Sequence, residues 1–331
     1  MIVIGIDVSK DKLDSLWLRE IATGKVKSKV FKNDARGHAA LIEWVGKNTG
    51  TPLSDCRFVM EATGIYHEAL AYALYESGAQ VCVVNPAQIH NYAKSFGTRS
   101  KTDKKDSRVI AHFGATQQPR LWQPEPAEIR TLKALLARHE AIERDIRREQ
   151  NRLEKAQVSP VSEAVLASIH SVLEHLGREK KRIEDLIKGH IDQHPALKQD
   201  RVLLESIPGI GPVVSRYMMS VIRSRPFESA AQCAAFLGVI PIQHESGSSV
   251  RGKSRLSKAG SGVIRAKLYM AATVAIQHNP DIKRQYARLL RNGKSKMAAL
   301  GAAMRKLVHI CFGVLKHQKP YQAQSGSAAC V

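Results

Sequence analysis

Cysteine is sparse and unorganised in this sequence. Its five copies (Cys56, Cys82, Cys233, Cys311 and Cys330) form no C-x-x-C pair. Neither a disulfide framework nor a thiolate metal site follows, and a reducing, cytoplasmic setting is expected. Residues 1–6 run straight into an apolar strand without the layout of a signal peptide. Long apolar runs are missing too. The longest, around residues 268–276, falls far short of the roughly 20 residues that span a bilayer, so no membrane partner is expected. No internal repeat is evident. Acids, finally, almost vanish from the last third: between Ser246 and Pro320 there are 16 Lys and Arg but one acid, Asp281.

What is present sharpens that asymmetry. The whole chain has 51 Lys and Arg against 30 Asp and Glu, a net charge of +21 and a pI near 9.9. Solubility needs only mixed signs, whereas uncompensated positive charge packed into one third points to a polyanion, and nucleic acid is the expected partner. With 331 residues, 44% of them hydrophobic, the chain can bury a sizeable core and is not a disordered tail.

The expected fold is α/β followed by α. Residues 1–120 alternate strands and helices. Apolar strands at 2–6, 13–18 and 26–31 precede a helix at 37–45, and then come a strand, 57-RFVME-61, a helix at 67–76, a strand at 80–86, and helices near 89–95 and 107–115. This predicts a mixed sheet. A proline-containing linker, 119-PRLWQPEP-126, opens a charge-rich helical segment, 121–195. Its first run places Ile129, Leu132, Leu136, Ile146 and Leu153 on one seam, and its second Val165, Ile169, Val172, Leu176, Ile183 and Leu186. These stripes suit a helical hairpin within one subunit and a coiled-coil oligomerisation arm equally. Residues 196–331 form the basic, helix-rich remainder.

Four acids stand at informative places. Asp7 ends the first strand and Glu61 the fourth, and parallel strands of an α/β sheet bring such ends to one edge. Asp103 and Asp106, three apart, share a helix face, with Thr102 as cap. Four clustered carboxylates repel unless a cation holds them, and hard oxygen donors select Mg2+ or Mn2+. The implied chemistry is metal-assisted phosphoryl transfer. The competing reading for Asp103 and Asp106 is surface pairing with Lys101, Lys104, Lys105 and Arg108. Glu61 resists such a reading, because an ionised group ending an apolar strand is costly unless paired or ligated. Lys101 and Lys105 are also candidate nucleic-acid contacts. Three strands before the first helix, with acids on strands one and four and on a late helix, resemble the ribonuclease H fold of Holliday-junction resolvases.

The segment 244-HESGSSVRGKSRLSKAGSG-262 is rich in glycine and hydroxyls and carries Arg251, Lys253, Arg255 and Lys258. Read from its residues alone, it is a loop that grips phosphate through backbone N–H groups and guanidinium forks, or one that offers a serine nucleophile. A serine needs activation, and beyond His244 no histidine–aspartate partner is obvious, so a nucleophile here requires the carboxylate-bound metal nearby. The turn 206-SIPGIG-211 resembles a helix-hairpin-helix element in which Gly209 and Gly211 let backbone N–H groups approach phosphate. A tight turn between packed helices accounts for it equally well.

Taken in order, GIDVSKDKLD at the N-terminus, EATGIY at 61–66, NP at 85–86, KTDKKDSR at 101–108, SIPGIG and ESGSSVRGKSRLSKAG at 245–260 resemble transposases of the insertion-sequence one-ten family. These are DEDD-type recombinases that include pilin-gene invertases. The resemblance covers essentially the whole chain. It implies a resolvase-like (RuvC-like) catalytic domain, a coiled-coil insertion and a C-terminal transposase domain. It further implies Asp7, Glu61, Asp103 and Asp106 as metal ligands and Ser246 as nucleophile, with Ser248 and Ser249 as substitutes. The family's chemistry is cleavage through a covalent 5′-phosphoserine, strand exchange and religation. Its partners are donor and target double-stranded DNA and a structured noncoding bridge RNA. Its assembly is a tetramer built from dimers, working on the bacterial nucleoid. Two rivals remain: a resolvase-like endonuclease using metal-activated water, and a non-catalytic nucleic-acid-binding regulator.

Overall fold

The computed structural model describes residues 2–21, 23–95, 103–159, 161–242, 245–246, 250–251 and 255–323, with backbone alone at 103–105, 245–246 and 250–251. It divides into two compact units, Met1–Pro124 and Glu125–Val331.

The first unit is built on a five-stranded mixed sheet, as the strand and helix pattern predicts. Strands β1 (Ile2–Val8), β2 (Lys12–Glu20), β3 (Lys25–Lys32), β4 (Cys56–Glu61) and β5 (Gln80–Val84) lie in the order β3-β2-β1-β4-β5. Only β2 is reversed, antiparallel to β1 and β3, while β4 and β5 run parallel to β1. The central strands are apolar on both faces because helices cover both. On one face Ile4, Ile6, Phe58 and Met60 meet Leu41 and Val45 of α1 (Ala35–Thr49) and Leu70 and Leu74 of α2 (Glu68–Glu76). On the other, Val3, Val59, Cys82 and Val84 meet Ile89 of α3 (Pro86–Ser95) and Ile110 and Phe113 of α4 (Asp103–Gln117). Helix α1 starts where Asp34 accepts a hydrogen bond from Gly37 N at 2.7 Å, and stops at Gly50 in the left-handed region.

In the second unit, α5 (Ala127–Val158) and α6 (Glu163–Gln193) form an antiparallel hairpin. Lys180 Nζ reaches Glu143 at 3.1 Å, His139 Nε2 lies 3.0 Å from Glu184, and His190 Nε2 lies 2.8 Å from the Glu128 carbonyl oxygen, so numbers rise on one helix as they fall on the other. The inner seam of α6 differs from expectation. Val165, Val172 and Leu186 face outward at 41–45% exposure, whereas Ile183, Ile187 and Ile191 are buried and Leu176 packs on the core. An α-helix advances 3.6 residues per turn, so a stripe chosen on a strict seven-residue period drifts to a neighbouring position.

The remaining helices are α7 (Pro195–Glu205), α8 (Pro212–Ile222), α9 (Ala230–Phe236), α10 (Gly262–His278), α11 (Pro280–Arg291) and α12 (Lys296–His317). One expectation needs correcting. By length and composition α12 is apolar enough to cross a membrane, although Arg305 and Lys306 break its sequence into shorter apolar runs. Its Leu300, Met304, Leu307, Val308, Cys311 and Leu315 are buried in the core of this unit, which accounts for the apolarity without a bilayer.

Candidate active site

Alternation along β1 puts Val3, Gly5 and Asp7 on the face covered by α4, and Val59 and Glu61 of β4 share that face. The parallel register pairs Ile2 with Cys56 through Ile6 with Met60. One step further it sets Asp7 beside Glu61, at the neighbouring-strand spacing of about 4.8 Å. Both acids are half-buried. The strand runs one residue past Asp7 to Val8, so Asp7 belongs to the ladder itself.

The antiparallel register adds an acid that the sequence reading missed. Asp14 of β2 stands directly opposite Asp7; it is 8% exposed, and its carboxylate lies 3.1 Å from Lys12 Nζ. Asp14, Asp7 and Glu61 thus form a row across β2, β1 and β4. Like charges at this spacing destabilise a sheet unless cations stand among them. The available signal was the alternation along 12-KLDSLWLRE-20, which sets Asp14 in phase with Leu16 and Leu18 on the α4 face.

Helix α4 reaches this row because of two glycines. A β-carbon on Gly5 would run into the Ser107 carbonyl oxygen and the Ala111 backbone, and one on Gly114 into Val59 and Val3. The helix therefore lies flush on the sheet, antiparallel to β1, with Gly114 over the start of the strand and Ser107 beyond Gly5. Asp7 is about 6.6 Å further along β1 than Gly5. Asp106 and Asp103 lie about 4.5 and 9 Å further along the helix from the point over Gly5. Their positions bracket the level of Asp7. Asp106 is half-buried, and the Asp103 side chain lies outside the described residues, as do Lys101 and the Lys105 side chain. Among the described residues, no group of three or more His, Cys, Asp or Glu closes on a common metal-holding point. The donor set Asp7, Glu61 and Asp106 is all hard oxygen, which fits Mg2+ or Mn2+ and no soft metal.

Beyond Glu61 the chain is fastened by Asn33. Its side-chain amide donates to the Ser9 and Tyr66 carbonyl oxygens at 2.8 and 3.0 Å, and its oxygen lies 2.9 Å from His38 Nε2. The turn after β1 and the segment after β4 are thereby tied together. His38 is buried, which holds its pKa below the usual histidine value.

The glycine-rich segment is a ribbon, in part, where a loop was expected. Pro241–Ile242 pairs with Arg255–Leu256, and further out Glu245–Ser246 pairs with Val250–Arg251. These are β6 and β9, and β7 and β8, respectively. The Ser246 and Arg251 side chains and all of His244, Ser248, Ser249 and Lys253 lie outside the described residues, whereas Arg255 and Lys258 are exposed. Arg265, also missed from sequence, anchors the base of the ribbon through hydrogen bonds from Nη1 to the Ala259 and Gly260 carbonyl oxygens, both at 2.9 Å. In the turn between α7 and α8, a β-carbon on Gly209 would meet Ala275 at 2.8 Å and the Ala271 carbonyl oxygen at 3.1 Å. Its left-handed backbone, φ 101°, and this packing on α10 account for the glycine without a ligand. Gly211 has open space around it.

Comparison with known proteins bears on both units. Residues 4–158 match the transposase model DEDD_Tnp_IS110, and residues 201–287 match the transposase model of the IS116/IS110/IS902 family. The pilin gene-inverting protein of Moraxella bovis is 32% identical over 323 residues, 96% of this chain and 97% of that protein. The transposase for insertion sequence element IS1111A of Coxiella burnetii is 23% identical, covering 97% and 91% respectively. Among solved structures, Thermus thermophilus RuvC in complex with a Holliday junction substrate aligns with 37% of this chain and 99% of its own, at 16% identity and a TM-score of 0.27. A score that low carries no weight for fold or function.

Proposed function

This chain belongs to the IS110 family of transposases, and from that premise we propose that it cleaves, exchanges and rejoins donor and target DNA with Ser246 as nucleophile. The observation that carries the catalytic assignment is the parallel register that sets Asp7 beside Glu61 under the start of α4. In this reading Asp7, Glu61, Asp103 and Asp106 hold Mg2+ or Mn2+, which supplies charge neutralisation for attacking and leaving oxygens. The sheet order, with β2 alone reversed, supports a ribonuclease H-like reading of the first unit.

Ser246 Oγ attacks a backbone phosphorus. The Oγ–P bond forms, the P–O3′ bond breaks, and the serine proton balances the 3′-hydroxyl that departs. A 3′-hydroxyl of the other duplex then attacks the phosphoserine and releases the serine. Ser246 lies in the second unit and the acids in the first, and the reading includes a tetramer built from two dimers in which one subunit's acids complete another's serine site. Arg251, Lys253, Arg255, Lys258, Lys101, Lys105 and the Gly209–Gly211 turn contact phosphates. The excess positive charge of the last third suits two polyanions at once, DNA and a bridge RNA that pairs with it. The work is done in the cytoplasm, on the nucleoid.

Trapping on a nicked suicide substrate tests the nucleophile. Wild type should form a covalent protein–DNA adduct and Ser246→Ala none, with recombination abolished. Cleavage that survives in Ser246→Ala would establish metal-activated water instead. RNase treatment of the active complex should stop recombination. Full recombination by Asp7→Ala or Glu61→Ala would refute the metal-ligand assignment, and wild-type protein that binds DNA but forms no adduct and no recombinant would leave only a DNA-binding role.

A further inference from the structure

At the end of α12 the chain reverses. Gln318 adopts a left-handed backbone, φ 51°, and residues 319–322 fold back over the helix. The return is fastened at three places. Gln318 Nε2 donates to Asp200 at 3.0 Å, Tyr321 N donates to Ser206 Oγ at 2.8 Å, and the Tyr321 hydroxyl donates to Asp281 at 2.7 Å and lies 3.0 Å from Asn279 Oδ1. Asp200 and Asn279, which receive these bonds, are buried. Between the fastened tail and one face of α12 lies an open cavity of about 350 Å³.

The lining of that cavity is one-sided in charge. Lys306, His309 and His317 come from α12 and Lys319 from the tail, while the only acid is Asp281. That carboxylate is already engaged by the Arg284 guanidinium and the Tyr321 hydroxyl. Gly313 and Val314 of α12 also line the cavity. The walls therefore offer ammonium and imidazole donors, and the one carboxylate side chain among the described lining residues is engaged. The cavity is held in shape by hydrogen bonds to a buried core, so little ordering is needed on binding.

We infer that this cavity is a phosphate-binding site for a nucleic-acid backbone, separate from the serine ribbon and from the carboxylate row. Lys306 and Lys319 straddle the phosphate from opposite walls, His309 and His317 donate from α12, and Tyr321 is a positioning residue that keeps the tail wall in place. This inference rests on the nucleic-acid reading of the second unit but not on any chemistry. The site has no means of reading base sequence, so it contributes affinity and register in the manner of other phosphate contacts.

The test is a salt titration of binding, in Ser246→Ala full-length protein without divalent metal, so that strand transfer plays no part. Labelled duplex DNA and labelled single-stranded RNA of arbitrary sequence are the two probes. The double variant Lys306→Gln, Lys319→Gln should lose roughly tenfold in affinity near 0.1 M salt. The slope of log K against log salt should become shallower by about one. The probe that shows this change identifies whose backbone fills the site. Tyr321→Phe should weaken binding of the same probe while its melting curve stays cooperative, because the tail wall is loosened and no charge is removed. Lys47→Gln, on α1, should change neither quantity. Unchanged affinity and slope for both probes in the double variant would overturn the inference. So would an equal loss in Lys47→Gln, which would mean bulk charge and no site. Adduct formation by the Lys306→Gln, Lys319→Gln variant with Ser246 restored, at saturating DNA, reports separately on the recombinase reading.

Discussion

Replacing Gly5 with alanine tests the argument that the carboxylate row and α4 form one construction. The new β-carbon would stand 2.8 Å from Ala111 Cα, with the Ser107 carbonyl oxygen and Ala111 N nearer still. Ordinary carbon–carbon contact is about 3.5–4.0 Å. All three obstacles are backbone atoms, so no side chain can swing aside, and α4 must retreat by about 1 Å. Overpacking of this kind costs about 1–3 kcal/mol, which should lower the melting temperature by several degrees. The larger effect falls on chemistry. The helix start that carries Asp103 and Asp106 moves away from Asp7 and Glu61, and a misplacement near 1 Å can cost on the order of 10²-fold in rate. Adduct formation on a suicide substrate, measured across a Mg2+ titration, should show a lower maximum and a higher metal requirement. Gly46→Ala is the matched control: it lies inside α1 with nothing within 4 Å of the added carbon, and should stabilise by about 0.5–1 kcal/mol. Wild-type stability in Gly5→Ala would refute the packing argument. A destabilised variant with unaltered metal dependence would show that α4 supports the sheet but does not complete the site.

Other predictions follow from single groups. Asp200 is 1% exposed and takes two charge-assisted hydrogen bonds from Arg223, at 2.6 and 2.7 Å. Asp200→Ala should cost about 2–3 kcal/mol in urea unfolding, below the usual range for a broken buried pair because Arg223 can rehydrate, and a loss under about 1 kcal/mol would show the pair to be screened. Burial pushes Cys82 up to about 11 and Cys233 up to about 12, and raises Cys56 and Cys311 as well. No more than one of the five thiols should therefore react with Ellman's reagent at pH 8 before denaturant is added, and rapid labelling of two or more would contradict the packing around them. His38, His67 and His309 are held below their ordinary value by burial, so the unfolded chain binds protons that the folded chain refuses. That stability is present above the unfolded value of about 6.5 and is lost as pH falls through it. Melting temperatures should drop between pH 7 and 5.5, before most carboxylates titrate; a flat profile would mean these rings accept protons without cost.

Much of the first unit was legible because its signals are local. The apolar runs that end at Asp7 and Glu61, the alternation of β2, and the three-residue spacing of Asp103 and Asp106 each lie within a few residues of chain. Asp14 escaped notice because its importance depends on the residue it faces, and that is set by the length of the turn between β1 and β2. The α6 seam was displaced because several apolar stripes lie side by side on that helix, and only contact with α5 selects one. The ribbon around Ser246 is not legible as strand because its glycine and serine content gives little strand propensity. Its inner pairing joins Pro241–Ile242 to Arg255–Leu256, across more than ten residues of chain, and the short outer pairing of Glu245–Ser246 with Val250–Arg251 continues from it.

The sequence by itself determined the sign and placement of charge, the alternation that puts Asp7 and Glu61 on one face, and the family to which the chain belongs. These are properties of composition and of short-range periodicity, and the chain carries them before it folds. Only the tertiary structure decided that Asp7 stands between Asp14 and Glu61, how deeply α4 settles on Gly5, and that the tail after α12 closes a basic cavity. Those features depend on register, on close backbone approach and on hydrogen bonds between distant segments. They exist only once non-local contacts have offset the entropy of bringing those segments together.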